Sequence, residues 1–214
     1  MVYDGEKFWI SGELGGLVVR PDGMILPITL PPCTRRGMLF DGRSVWIGGS
    51  TQLAQFDANT LDQLLTFPVS VDGGLAFDGS HLWIAGQDPP QLVSMRAIDG
   101  QIGTQWALPV ATDALIYDGS HLWVTNRGQN SVTKYTRDGT ASGPYQTGLF
   151  PWTMLFDGAY LWVANRNGNG VSKLKASDGT SLGTFIVGTL PDGLVFDGIN
   201  IWAADAQSGS LIRL

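Results

Sequence analysis

Residues 153–188 read TMLFDGAYLWVANRNGNGVSKLKASDGTSLGTFIVG, and this stretch decides the fold. It divides into four short β-segments punctuated by turn chemistry. TMLF runs into Asp157-Gly158, YLWVA into the polar NRNGNG, VSKLK into Asp178-Gly179, and GTFIV closes the unit. We name the four expected strands A to D. Asp-Gly between apolar runs is a strong hairpin signal, and the turn expected is type I′, which needs positive φ at both central residues. Strand B is apolar on consecutive positions, Leu161-Trp162-Val163. Strict alternation would leave one wet face, whereas a continuous run requires cover on both. Strand C alternates imperfectly, which suggests a place nearer the rim. No stretch sustains a 3.6-residue apolar period.

Working outward, the same unit recurs along the whole chain. An aromatic-Asp-Gly triplet stands at Tyr3-Asp4-Gly5, Phe40-Asp41-Gly42, Phe77-Asp78-Gly79, Tyr117-Asp118-Gly119, Phe156-Asp157-Gly158 and Phe196-Asp197-Gly198, at spacings of 37, 37, 40, 39 and 40. A tryptophan follows each at a fixed offset: Trp9, Trp46, Trp83, Trp123, Trp162 and Trp202, six of the eight in the chain. Repeats of this period with four strands and no helix are the signature of propeller blades. The expectation is an all-β, single β-propeller domain over 1–214, with about six blades of four antiparallel strands. The repeat units fall at 1–34, 35–71, 72–111, 112–150, 151–190 and 191–214. A β-trefoil shares the unit length, but six copies would demand two of them. The last copy reaches Leu214 directly after strand C, so its blade is expected to lack the outer strand. The open edge at 210–214 offers unpaired N–H and C=O groups and a route to edge-to-edge self-association.

The repeated residues have structural duties. A tryptophan at mid-strand B should wedge between adjacent blades, and burying it removes about 150–250 Å² from water, roughly 4–6 kcal/mol gross. Each triplet aspartate reads as a turn residue. His81 and His121 share the context DGSHLW and open strand B after a hairpin, where an exposed bottom edge is expected. No HExxH, paired-cysteine, P-loop or GxSxG pattern is present.

Composition narrows the function classes. Only 15% of residues are charged, and the net charge is −6. Nucleic-acid backbones need a basic face, and Arg35-Arg36 is too small a cluster to supply one. Cys33 stands alone, so no intrachain disulfide forms. No apolar run approaches a membrane span, so no membrane partner is expected. The opening MVYDGEKFWI lacks the features of a signal peptide, which leaves a cytoplasmic location or export with the signal removed.

Segments such as LPDGLVFDGINIWAAD and LWVANRNGNGVSKLKASDGTSLGTFIVG resemble the YVTN/YncE-type propeller repeats of bacteria, relatives of the NHL and SMP-30-like propellers. The resemblance covers essentially the whole chain and implies the fold, while such repeats carry many functions. It also implies a ligand mouth formed by D–A and B–C loops, the segments where the six copies diverge most. The B–C loops hold Glu13, Gln52, Gln87, Asp88, Arg127, Asn130, Arg166, Asn167, Asp205 and Gln207. The approaches to strand A hold Arg35, Arg36, Asp72, Asp113, Trp152 and Asp192. From these, Arg35, Arg36, Asp72, Asp113, Trp152, Asp192, Arg127, Arg166, Asn167 and Asp205 are the candidate ligand-binding residues. The reading is a non-catalytic binding or interaction scaffold for an unknown protein or small ligand, with no cofactor. One alternative is a metal-dependent hydrolase or lactonase of SMP-30-like type. It would use Asp72, Asp113 and Asp192 to hold Ca²⁺ or Mg²⁺, although that family's glutamate has no convincing counterpart. A streptogramin-lyase-like enzyme is a further alternative, but that family's repeats read LWFT where these read LWVAN. The last is a structural repeat segment of a larger protein.

Overall fold

The computed structural model describes residues 2–12, 15–29 and 37–214. Glu13, Cys33, Arg35 and Arg36 lie outside the described residues. The strands form five four-stranded antiparallel sheets and one three-stranded sheet, each in simple up-and-down order. These are the six blades of a β-propeller. Blade 1 holds β1 (Val2–Tyr3), β2 (Phe8–Gly12), β3 (Gly15–Val19) and β4 (Ile25–Ile28). Blade 2 holds β5 (Met38–Phe40), β6 (Ser44–Gly48), β7 (Leu53–Asp57) and β8 (Gln63–Phe67). Blade 3 holds β9 (Leu75–Phe77), β10 (His81–Gln87), β11 (Pro90–Arg96) and β12 (Ile102–Ala107). Blade 4 holds β13 (Leu115–Tyr117), β14 (Leu122–Asn126), β15 (Ser131–Tyr135) and β16 (Ala141–Gln146). Blade 5 holds β17 (Pro151–Phe156), β18 (Tyr160–Asn165), β19 (Gly170–Lys175) and β20 (Ser181–Ile186). Blade 6 holds β21 (Pro191–Phe196), β22 (Ile201–Asp205) and β23 (Ser210–Arg213). The chain divides into two compact units, residues 1–86 with 92–105 and residues 87–91 with 106–214. Blades 1–3 make up essentially all of the first, and blades 4–6 most of the second.

The continuous apolar runs of strand B are explained by burial: β6 and β14 are buried at every residue. Strand C is interior as well, and β15 is buried at all five positions. That corrects the rim assignment for strand C. The rim is strand D, where β20 is exposed throughout and β8 and β16 nearly so. Strand C loses its alternation for the same reason strand B does, because both of its faces are covered.

Within each unit the tryptophan of one blade packs on the next. Trp9 joins Val45, Ile47, Ala54 and Phe56, and Trp46 joins Leu75, Leu82 and Met95. Trp123 joins Leu161, Val163 and Leu174, and Trp162 joins Ile201 and Ala203. Trp9, Trp46, Trp83, Trp123 and Trp162 are buried. Trp202 differs in being only half-buried, and no later blade of its unit covers it.

The A–B hairpin departs from the type I′ expectation. Register pairs Phe77 with Leu82 and Tyr117 with Leu122, so the loop has four residues. Positive φ is confined to the glycine, for example +96° at Gly79 and +95° at Gly119. The aspartate closes the loop with its side chain. Asp118 Oδ1 accepts the N–H groups of Ser120 and His121, at 2.8 and 2.7 Å. Its Oδ2 accepts the indole N–H of Trp123 at 2.7 Å. The same indole bond recurs in all six blades at 2.6–3.0 Å. An aspartate that can bind its own loop backbone does not need the mirror-image turn. Burial would raise the pKa of Asp4, Asp78, Asp118 and Asp157, but the indole and backbone donors outweigh it and hold all four below the usual carboxylate value.

Candidate functional site

The end of strand B differs between copies in a way that governs the loop after it. Eight residues past each triplet aspartate stand Gly12, Gly49, Gly86, Asn126, Asn165 and Asp205. In blade 2 the loop is closed by backbone alone, with Gly49 N–H on Gln52 O and Val71 N–H on Gly49 O. In blades 4 and 5 a buried carboxamide does this work. Asn126 Nδ2 donates to Ser131 Oγ and Thr133 Oγ1, and Asn165 Nδ2 donates to Gly170 O and Ser172 Oγ. The next residue in each of these blades is an arginine, Arg127 or Arg166. A side chain carried on a pinned strand end is pre-positioned.

Those arginines anchor a ladder of side chains in the second unit. Asp113, whose side chain is 2% exposed, meets Arg127 Nη1 at 3.1 Å from Oδ2 and 3.2 Å from Oδ1. Gln87 Nε2 donates to Asp113 Oδ1 and to Thr112 O. The Arg127 guanidinium lies 5.3 Å from the Phe150 ring centre, and Phe150 stacks with Trp152 at 6.1 Å and 19°. The Arg166 guanidinium lies 4.5 Å from the Trp152 ring, and its Nε is 3.3 Å from Asp192 Oδ1. The order is therefore carboxylate, guanidinium, ring, ring, guanidinium, carboxylate. Phe150 adopts a left-handed backbone, φ +62°, that is strained for a bulky residue. Its N–H is held by Asn130 Oδ1 and its carbonyl by the Arg166 N–H, both at 2.9 Å. Strain retained by surrounding bonds is a feature of functional loops.

Of the sequence candidates, Asp113, Arg127, Trp152, Arg166 and Asp192 are thus brought together. Asn167 is exposed beside them in the B–C loop of blade 5. Asp205 is buried and works as a loop clamp: it accepts the Leu190 N–H at 2.9 Å and the Ser208 hydroxyl at 2.7 Å. The Ser208 hydroxyl, together with backbone N–H groups, lowers its pKa. Asp72 belongs to the first unit and accepts the Ser70 hydroxyl at 2.9 Å. Sequence reading missed Phe150 and the two strand-end asparagines. The asparagines carried a signal, since Asn replaces Gly at one repeat position, whereas Phe150 carried none. His81 opens β10 and His121 directly precedes β14, and Nδ1 of each meets the neighbouring serine hydroxyl at 2.8 and 2.7 Å.

Two carboxylates of the ladder, Asp113 and Asp192, are among those considered for a Ca²⁺ or Mg²⁺ ion, with Asp72 in the first unit the third. Asp113 and Asp192 each face a guanidinium. Among the described residues, no three His, Cys, Asp or Glu side chains gather as a metal site.

No family model matches the chain, and no curated protein matches its sequence. Solved structures do match. A streptogramin B lyase aligns with TM-score 0.75 and 14% identity, covering 99% of this chain and 80% of that one. A virginiamycin B lyase from Staphylococcus aureus aligns at 0.72 and 17%, covering 100% and 82%. A chain of a nidogen/laminin complex aligns at 0.79 and 12%, covering 98% and 89%. What they share with this chain is the β-propeller fold. At such identities the likeness extends to fold alone, and these propellers include both an enzyme and a member of a protein complex.

Proposed function

We propose that this chain is a non-catalytic binding module of the YVTN/YncE-type propeller class, and that the loops of its second unit receive the ligand. The observation that carries the reading is the ladder from Asp113 to Asp192. It places two guanidiniums, each about one-third exposed, and two aromatic rings on pinned loops, which is the equipment of recognition. Among the described residues, no nucleophile–base pair stands beside it. The test is a thermal-shift and calorimetric screen of the intact chain against peptides and small ligands. Hits are then compared with Trp152→Ala and Arg166→Ala. Binding should weaken at least tenfold in both variants, since each removes an anchor worth about 1.5–3 kcal/mol. Ligands that bind both variants as tightly as the parent would overturn the assignment of these loops.

A further inference from the structure

Each guanidinium in the ladder is anchored along one edge and open along another. Arg127 spends Nη1 on Asp113, which leaves its Nε/Nη2 fork with no acceptor among the described residues. Arg166 Nε stands at ion-pair distance, 3.3 Å, from Asp192 Oδ1 without hydrogen-bonding it, and its Nη1/Nη2 fork likewise has no acceptor among the described residues. Both side chains are about one-third exposed, at 34% and 33%. A planar fork of N–H donors matches a carboxylate in bidentate geometry. The anchoring carboxylates and ring faces hold both forks before any ligand arrives, which lowers the entropic cost of binding. If the ladder only fastened loops, nothing would require that a fork stay open on each arginine.

The rings between the forks set the ligand's shape. Phe150 and Trp152 stand in series between the two arginines, with successive separations of 5.3, 6.1 and 4.5 Å. The two guanidiniums therefore stand no more than about 16 Å apart, a span that a short extended chain can bridge. An extended chain rises about 3.3 Å per residue, so acidic residues at i and i+4 stand about 13 Å apart, with an apolar residue midway. Two guanidiniums, each already facing a carboxylate, are too few to track the continuous backbone charge of a nucleic-acid strand.

Building on the binding reading above, we propose that the ligand is an extended polypeptide segment with two carboxylates flanking an apolar residue. The Arg127 and Arg166 forks take the carboxylates, and the Phe150/Trp152 pair takes the apolar side chain. The probe is a capped peptide of pattern Glu-Ser-Leu-Ser-Glu, titrated calorimetrically into the intact chain beside its Gln-Ser-Leu-Ser-Gln analogue and an oligothymidylate. The acidic peptide should bind at least tenfold more tightly than the glutamine analogue. Arg127→Gln and Arg166→Gln should each remove roughly tenfold in affinity, while Arg20→Gln in the first unit changes nothing. Unchanged melting curves for the two arginine variants would separate lost recognition from lost folding. Equal affinity for the two peptides, or tighter binding of the oligothymidylate, overturns the ligand class. If neither peptide binds but another ligand is lost in Trp152→Ala and Arg166→Ala, the ligand class falls and the binding module stands. If no ligand responds to either variant, both fall.

Discussion

Blades 1–3 and blades 4–6 are built on one frame and finished differently. The aspartate–indole clasp is common to all six blades. The cross-strand partner of the tryptophan is not. In blades 1 and 2 it is Val18 and Gln55, and in blades 4 to 6 it is Lys134, Lys173 and Arg213. Lys134 is buried, lies 5.2 Å from the Trp123 ring, and donates to Ala176 O and Ser177 O of the next blade. Lys173 Nζ lies 4.4 Å from the Trp162 ring and 4.0 Å from that of Tyr160. At the strand ends, glycine in the first unit gives way to asparagine or aspartate in the second. The repeat therefore tolerates wide change opposite the tryptophan and at the strand end while the clasp is kept. In this chain the polar change is concentrated in one unit, the one that carries the ladder.

The largest expected effect tests the common frame. Asp78→Ala in the first unit and Asp118→Ala in the second each leave two loop N–H groups and one indole N–H without their acceptor. Each should cost about 2–4 kcal/mol in urea unfolding, by similar amounts in the two units. A loss confined to one unit would break the claim of a shared clasp.

Next in size is the cation beneath the indole. Lys134→Met strips the donor from two carbonyls and should destabilise by about 1–3 kcal/mol. Gln55→Met, which loses only the bond to Ser44 Oγ at 3.0 Å, should cost less than about 1 kcal/mol. Equal costs at the two positions would erase this difference between the units.

Acid should weaken both units together, because clasp carboxylates with lowered pKa occur in both: Asp4 and Asp78, Asp118 and Asp157. A carboxylate more acidic in the folded chain than in the unfolded one stabilises fully above the ordinary carboxylate pKa. That contribution is lost as pH falls through the lower folded value. Melting temperature should therefore hold between about pH 7 and pH 5 and fall below about pH 4. In the Asp118→Ala variant the fall should be shallower.

The smallest effect belongs to Phe150→Gly. Relief of the left-handed backbone offsets the lost ring contacts, and the net change in stability should stay within about 1 kcal/mol. Ligand binding at the second unit should nevertheless fall, because one rung of the ladder is gone.

The frame was legible because it is periodic. Six tryptophans at one offset and six aspartates five residues before them carry enough redundancy that no single position has to be read correctly. The turn type was misjudged because Asp-Gly has two solutions, and the choice depends on whether the carboxylate finds other partners. Here it finds two backbone N–H groups and an indole, and the reading by local propensity gave way to that tertiary bond. The ladder was half legible. Asp113, Arg127, Trp152, Arg166 and Asp192 stood out as chemistry in divergent loops, but their order did not. Asp205 looked the same in sequence and proved to be a clamp, since its oxygens are taken by Leu190, Thr189, Gln207 and Ser208.

Strand count, blade count and the burial of strand B were determined by the sequence alone, because they follow from spacing and from continuous apolar runs, which are local and repeated. Which loop residues meet was decided only by the tertiary structure. Asp113, Arg127, Phe150, Trp152, Arg166 and Asp192 lie on five separate loop or strand-end segments of three blades, and no local rule of spacing connects them. The packing of one blade on the next brings those segments together, and the ladder exists only after that packing is complete.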